Sequence, residues 1–569
     1  MKRILVLAVA TAGFAAVSVH SQQAPNRGQG QPAGREDGLD PSPVNPATDP
    51  DINMFLNDWH NAKPRNEYGK LVLHDILTRL DAPDPTRPAH RGAVLTAIKS
   101  VSYATLAPGA TVSGRTQPGE REVFYTTAGN GQLTVNAKSF EIKDGVGFTL
   151  TPDFDFKLAS TGREPLAFYV RTEPVPATTP PSPDVVVVNR FDGDRRVGAH
   201  WVHICNGGPA GLTLCTIAPH TMPQPHSHPM EEAWIMVKGE TILSLGKNIV
   251  RMVPGQAYKI PPTGLAAHSN INLGEEPVEM IYMGPASRDA PPGARAAAPA
   301  GPPPATDFAR LDNSPINRDT EQDVDMYMGN WHDAFPRMVH GNLYFRDMLT
   351  ALKGADELHP QRKGAVLTNA EAISYAMLEP GSTAHPNEGE LKGIQETFVV
   401  NSGTGSITSG GNKTELHKGM SFILTPGLDF RLSATGDKYM TFYVVSEKLP
   451  EGFAAKPSLQ VVDNSARPQV TADWYNKERP LITRAEGLSQ YAAVTQVELP
   501  TMTMSRPASA AKGVEEIWIA TDGDVEMLFG KMLRRLPAGT ALRVPSTGIT
   551  AHANINVSGK TASFLTLTK

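Results

Sequence analysis

The sequence predicts an all-β protein built from repeated small barrels or sandwiches. Three observations carry that prediction. The chain of 569 residues holds 50 Gly and 49 Pro, a share of turn formers that suits β architecture better than helical bundles. Short apolar segments, such as AWIMV from Ala233 and TILSLG from Thr241, alternate with Gly and Pro turns. Stretches from one half of the chain return in the other half at fixed spacing.

The repeat sets the organisation. Trp59-His60 with Pro64-Arg65 returns as Trp331-His332 with Pro336-Arg337, 272 residues later. RGAVLT (Arg91 to Thr96) and KGAVLT (Lys363 to Thr368) keep that offset, as do Pro108-Gly109 and Pro380-Gly381. After a two-residue shift Glu122 matches Glu396, and Leu150 to Pro152 matches Leu424 to Pro426. Independently, TGLAAHSNIN (Thr263 to Asn272) returns as TGITAHANIN (Thr547 to Asn556) at an offset of 284. The chain therefore reads as a two-part unit duplicated in the order A-B-A′-B′. Its length is too great for a single hydrophobic core.

The elements follow in order. MKRILVLAVATAGFAAVSVHS, residues 1–21, has Lys2 and Arg3, an apolar run and then small residues, the pattern of a secretory signal; the run is too short to span a membrane. Cleavage after Ser21 takes the net charge from −5 to −7 by removing Lys2 and Arg3. No cysteine stands at that point, so no lipid anchor through it is expected, and the mature protein is expected in the periplasm or medium. Residues 22–50 are polar and aperiodic and read as a flexible leader. DINMFLNDWHNA and DVDMYMGNWHDA read as helical arms, their Trp-His pairs as anchors for burial. Barrel A is expected over 51–174, B over 184–287, A′ over 308–450 and B′ over 457–569. Pro-rich linkers separate them at Val175 to Pro183 and over 288–307. Cys205 and Cys215 flank a Gly-Gly-Pro-Ala-Gly turn, which reads either as a hairpin disulfide or as two buried thiols. With no basic run and a net charge of −5, nucleic acid is not an expected partner.

The chemistry concentrates in QPHSHPMEEAWIMVKGE, residues 224–240. His226, His228, Glu232 and Trp234 have equal parity and can share one face of a strand, with Glu231 pointing away. His268 arrives from a second segment, followed at equal parity by Asn270 and Asn272. Three imidazoles and one carboxylate suit a divalent transition metal, Mn, Fe, Ni, Cu or Zn, with open positions for water or a substrate.

Here the chain resembles the cupin superfamily. His226, His228, Glu232 and Gly239 match the family's first motif, although His220 stands where its opening Gly belongs. Gly255, Pro262, Gly264 and His268 match the second, with Pro262 one residue late and three residues rather than two between Gly264 and His268; Asn272 closes it. The resemblance implies cupin-type antiparallel barrels (double-stranded β-helix, or jelly roll), with a metal held inside B by His226, His228, Glu232 and His268. It also implies a metal-dependent enzyme of dioxygenase or lyase/isomerase type acting on a small polar molecule, in which Glu232 is a ligand able to move protons. Tyr258 and Tyr282 read as barrel-lining or buried structural groups. The alternative is a non-catalytic ligand- or metal-binding scaffold.

The other barrels read as degenerate. B′ keeps Glu516 and His552 but has Ala510 and Lys512, or Pro507 and Ser509, in place of the histidine pair. A has Glu122 with Thr116, Pro118 and Leu158 at the histidine positions; A′ has Glu396 and Leu432, with His385 out of pattern. B′ also retains Asn554 and Asn556 beside its incomplete site, which points to turn or strand-end roles for Asn270 and Asn272. One metal per chain is expected.

Overall fold

Every barrel consists of a large and a small antiparallel sheet facing each other. The structure, a computed structural model, describes residues 39–40, 42–176, 184–190, 195–197, 204–207, 212–226, 231–261, 266–284, 322–387 and 389–569, with backbone alone at 195–197 and 204–207. The eight sheets divide among four barrels, two each, in the order A-B-A′-B′. The signal segment, most of the expected linkers and His228 lie outside the described residues. Among the described residues no helix is long and apolar enough to cross a membrane.

The arms depart from the helical expectation. Each holds a one-turn 3-10 helix, Ile52–Phe55 or Val324–Tyr327, followed by a three-residue strand, Leu56–Asp58 or Met328–Asn330. The physical reason is the Asp and Asn content. Asp51 accepts from the Asn53 amide and Asp323 from the Asp325 amide, so these side chains cap short turns instead of continuing a helix. Leu56–Asp58 then pairs with Gln256–Lys259 of barrel B, while Val186–Asn189 from the start of B pairs with Val146–Leu150 of A. The second half repeats this reciprocal exchange, Met328–Asn330 with Thr540–Val544 and Gln460–Asp463 with Met420–Leu424. The Trp-His pairs are anchors, as expected. Trp59 lies over Gly255, where an added Cβ would sit 2.6 Å from the indole, and Trp331 lies over Gly539 in the same way. Gly255 also has φ +93°, so two constraints require glycine there.

Three apolar cores join the barrels. One packs A against B through residues such as Tyr125, Tyr169, Ile235 and Ile281, and its copy packs A′ against B′. A third joins the small sheets of B and B′ through Ile242, Ile271, Leu528 and Ile555, with Trp474 and Leu39. The described part of the leader is therefore not loose. Trp474 Nε1 donates to the Asp40 carbonyl at 2.7 Å, and the Lys247 ammonium lies 2.9 Å from Asp40 and 3.3 Å from Asp49. Leu39 supplies an apolar anchor for a stretch whose polarity suggests a free tail.

Cys205 and Cys215 face each other in the register of adjacent strands, and Cys215 is disulfide-bonded in a chain with two cysteines. Of the two readings left open by the sequence, the disulfide holds.

Candidate metal centre

His226 and His268 are brought together by backbone pairing. The His268 amide donates to the His226 carbonyl at 2.9 Å, and the His226 amide to the His268 carbonyl at 3.3 Å. Their ring centroids lie 4.3 Å apart. The His226 Nδ1 lies 2.8 Å from the Gln224 carbonyl, which only accepts, so Nδ1 carries a proton and Nε2 is the nitrogen suited to a metal.

Glu232 reaches the same place from the start of Ala233–Lys238, an interior strand of the large sheet. Its Oε1 lies 3.2 Å from His268 Nε2 and accepts from Trp234 Nε1 at 2.6 Å. Glu232, Trp234 and His268 are all buried. Below them, Asn270 Nδ2 donates to the Tyr258 hydroxyl at 2.9 Å; burial first, then the nearby Glu232 charge, pushes the Tyr258 phenol well up and keeps it protonated. Tyr282 packs edge-on against Trp234 at 5.3 Å. Asn272 is a turn residue: it donates to the Ile217 and Glu276 carbonyls and accepts from the Gly274 amide.

Two imidazoles and a carboxylate, buried and mutually close, are chemically a metal donor set. Among the described residues no group of three or more His, Cys, Asp and Glu closes tightly enough to hold an ion. His228 lies outside them.

Barrel B′ preserves the frame without the histidine pair. His552 Nε2 lies 2.9 Å from Glu516 Oε1, which accepts from Trp518 Nε1 at 2.7 Å. Burial alone pushes the Glu516 carboxyl up, but the His552 charge and hydrogen bond, aided by Trp518, outweigh it and hold it below its ordinary range. The register corrects the expected alignment. His552 pairs with Ala508 as His268 pairs with His226, so Ala508 takes the place of His226 at an offset of 282. Two extra residues lie between that position and the carboxylate in B′, which is why counting from the motif missed it.

Barrels A and A′ need the same correction. The strand pairings place Phe156 and Phe430, not Leu158 and Leu432, at the His268 position; the leucines match Asn270. Opposite Phe156 stands Gly114, not Thr116 or Pro118. A Cβ at Gly114 would overlap the Tyr68 ring, so Tyr68 fills the space of the missing side chain. The Tyr68 hydroxyl donates to Glu122 Oε1 at 2.9 Å, and burial, with Glu67 adding, pushes the Glu122 carboxyl up to about 7.

In A′ the same turn carries His340, fully buried between two carboxylates. Nε2 lies 2.8 Å from Glu396 and Nδ1 2.8 Å from Glu390. Burial disfavours the imidazolium, yet the two carboxylates outweigh it and raise the His340 pKa. Sequence reading missed both plugs, although Tyr68-Gly69 and His340-Gly341 stand at the same 272-residue offset as the Trp-His pairs. His385 stays outside this cluster, its amide donating to the His340 carbonyl.

Glu231, expected to point away, does so with a purpose. It accepts from the Thr96, Ala97 and Ile98 amides and the Thr96 hydroxyl of barrel A, at 2.5 to 3.0 Å. Glu515 takes the Thr368 amide and hydroxyl of A′ in the same way.

Comparison with known proteins bears on the fold. The Cupin domain family model matches residues 213–284 and 374–446, in barrels B and A′. The chain carries cupin domains. Since one matched cupin barrel holds the histidine motif and the other a plugged site, the match speaks for fold rather than metal. No curated protein matches the chain. Among solved structures, a putative glyoxylate-induced protein from Pseudomonas aeruginosa is 15% identical with a TM-score of 0.35, covering 44% of this chain and 97% of its own. A point mutant of Bacillus subtilis oxalate decarboxylase is 12% identical at a TM-score of 0.32, covering 42% and 80%. AerE from Microcystis aeruginosa is 12% identical at 0.31, covering 40% and 97%. Likeness at this level carries no argument about activity.

Proposed function

We propose that barrel B holds one divalent transition metal through His226, His228, Glu232 and His268, and that the protein is an exported metal-dependent enzyme acting on a small polar molecule. The observation that carries this reading is the pairing of His226 with His268 beside Glu232, an arrangement the other three barrels replace with Ala508, with Tyr68 or with His340. A bound metal supplies Lewis acidity, or a site for dioxygen. The chain's own groups do the rest. Trp234 holds Oε1 of Glu232 beside His268, so the carboxylate is oriented for its part as a ligand able to move protons. Tyr258, kept protonated, holds Asn270 beneath the histidines.

Export rests on the signal pattern at residues 1–21, and N-terminal sequencing that begins near Gln22 is the expected outcome. The plugged barrels favour a second reading, a metal-stabilised scaffold, because three of four barrels contribute mass without a ligand site. Elemental analysis of protein from its own compartment, followed by activity screening of the metal-loaded protein against small carboxylic acids and sugars, separates the two. Turnover that disappears on chelation supports the enzyme. Ligand-induced thermal stabilisation without turnover supports the scaffold.

A further inference from the structure

The junction between A′ and B′ contains a cleft of about 570 Å3, lined among others by Val399, Lys418, Gln496, Glu498, Asp522 and Ser563. That volume lies in the range of small-molecule sites. The duplication supplies an internal control, because the strand registers identify the matching positions at the A–B junction.

At A–B those positions are filled. Arg190 Nη1 donates to Glu279 at 2.9 Å and to the Tyr125 hydroxyl at 3.3 Å, and Nη2 lies 3.7 Å from Asp144. At A′–B′ each filling group is smaller: Asn464 stands for Arg190, Ser563 for Glu279 and Val399 for Tyr125. Asn464 donates to the Gly419 carbonyl at 2.8 Å and to Ser421 Oγ at 2.9 Å, so its amide is spent on the turn.

The charges changed as well. Glu498 replaces Thr216, and Lys418 replaces Asp144. Among the described residues neither Lys418 nor Glu498 has an ion-pair partner, and the side-chain bond to Glu498 is a 3.3 Å contact from Gln496 Nε2. Asp522 is already answered by Lys560 at 3.2 Å on the exposed rim. Lys418 and Glu498 thus line a single cleft with no ion pair formed among the described residues, Lys477 standing opposite Glu498 on the next strand, where the other half of the molecule seats a guanidinium.

We propose that the A′–B′ cleft binds a small zwitterion carrying a guanidinium or ammonium group at one end and a carboxylate at the other. The cationic end meets Glu498 where the A–B junction has Arg190, and the carboxylate meets Lys418. This site is separate from the metal centre of B and does not depend on it.

The test is calorimetric titration of the full chain with 4-guanidinobutyrate, with agmatine and butyrate as half-ligands. The expected result is saturable binding to about one site, with Glu498→Gln and each half-ligand at least about tenfold weaker, the scale of a lost charged hydrogen bond. The triple variant Val399→Tyr, Asn464→Arg, Ser563→Glu refills the cleft as at A–B and should abolish binding while thermal unfolding stays cooperative. Absence of saturable binding overturns the proposal, as does unchanged affinity in Glu498→Gln or in a folded triple variant.

Discussion

Barrels B and B′ share one frame and differ in what stands opposite the histidine. In both, a carboxylate, buried in B and half-buried in B′, accepts an indole N–H and meets an imidazole, at 3.2 Å in B and 2.9 Å in B′. In B the facing residue is His226; in B′ it is Ala508. The comparison teaches that Glu, Trp and His hold together through the carboxylate, which accepts the indole N–H and meets the imidazole, without a second histidine opposite. The presence of that trio is therefore no sign of a metal. What separates the two barrels is the short bridge strand that delivers the second imidazole.

The sharpest way to break this comparison is to return the missing donors. Ala508→His together with Ala510→His returns the histidine pair, Ala508 standing opposite His552, and gives B′ the same four protein donors proposed for B. Metal content measured by mass spectrometry should rise from about one ion per chain toward about two. An unchanged count would mean that the bridge strand is not what separates B from B′.

The next effect concerns Glu231 and Glu515, the neighbours that face the other way and tie each B-type barrel to its A-type partner. Glu231→Ala leaves three amides and a hydroxyl of the Thr96 segment without their acceptor, and Lys259, buried 3.9 Å away, without a counter-charge. The expected loss in denaturant unfolding is roughly 3 to 5 kcal/mol. The metal count should not move, since the metal frame lies on the opposite face of the strand.

A smaller effect separates the two plugged barrels. Glu122 has only the Tyr68 hydroxyl to answer it, and its folded pKa of about 7 exceeds the ordinary 4.5. A raised carboxyl gives stability that is present below the ordinary value and lost as pH climbs through the folded one. Wild type should therefore lose on the order of 2 to 3 kcal/mol between about pH 4.5 and pH 7, and Glu122→Gln should flatten that slope in thermal unfolding. Glu396→Gln should instead destabilise, because it removes one of the two carboxylates that raise the His340 pKa, and the stability that raised histidine contributes is lost as pH climbs through its folded value. Equal pH profiles for the two variants would erase the distinction between the plugs.

These contrasts also mark where the sequence is readable. The repeat, the all-β class and the convergence of His226, Glu232 and His268 follow from local spacing, because strand parity and motif distance are properties of a few neighbouring residues. The arms read as helical because apolar residues at Ile52, Phe55 and Leu56 mimic a helix face, while the decisive caps are hydrogen bonds accepted by Asp51 and Asp58. Tyr68 and His340 escape the sequence for a different reason. They reach the old ligand positions from a hairpin turn more than fifty residues before Glu122 and Glu396, and only the sheet register shows Gly114 as the gap that Tyr68 fills. The exchange of Arg190 for Asn464 likewise acquires meaning only when two sheets are seen facing each other.

The most direct test of the central claim is the metal content of three purified chains: wild type, His228→Ala and His552→Ala. Losing one imidazole from a four-donor site should weaken binding severely, while B′ has no site to lose. The account predicts about one ion per chain in wild type, close to none in His228→Ala, and about one in His552→Ala. A His228→Ala chain that keeps its ion, or a His552→Ala chain that loses it, would contradict a single centre in barrel B.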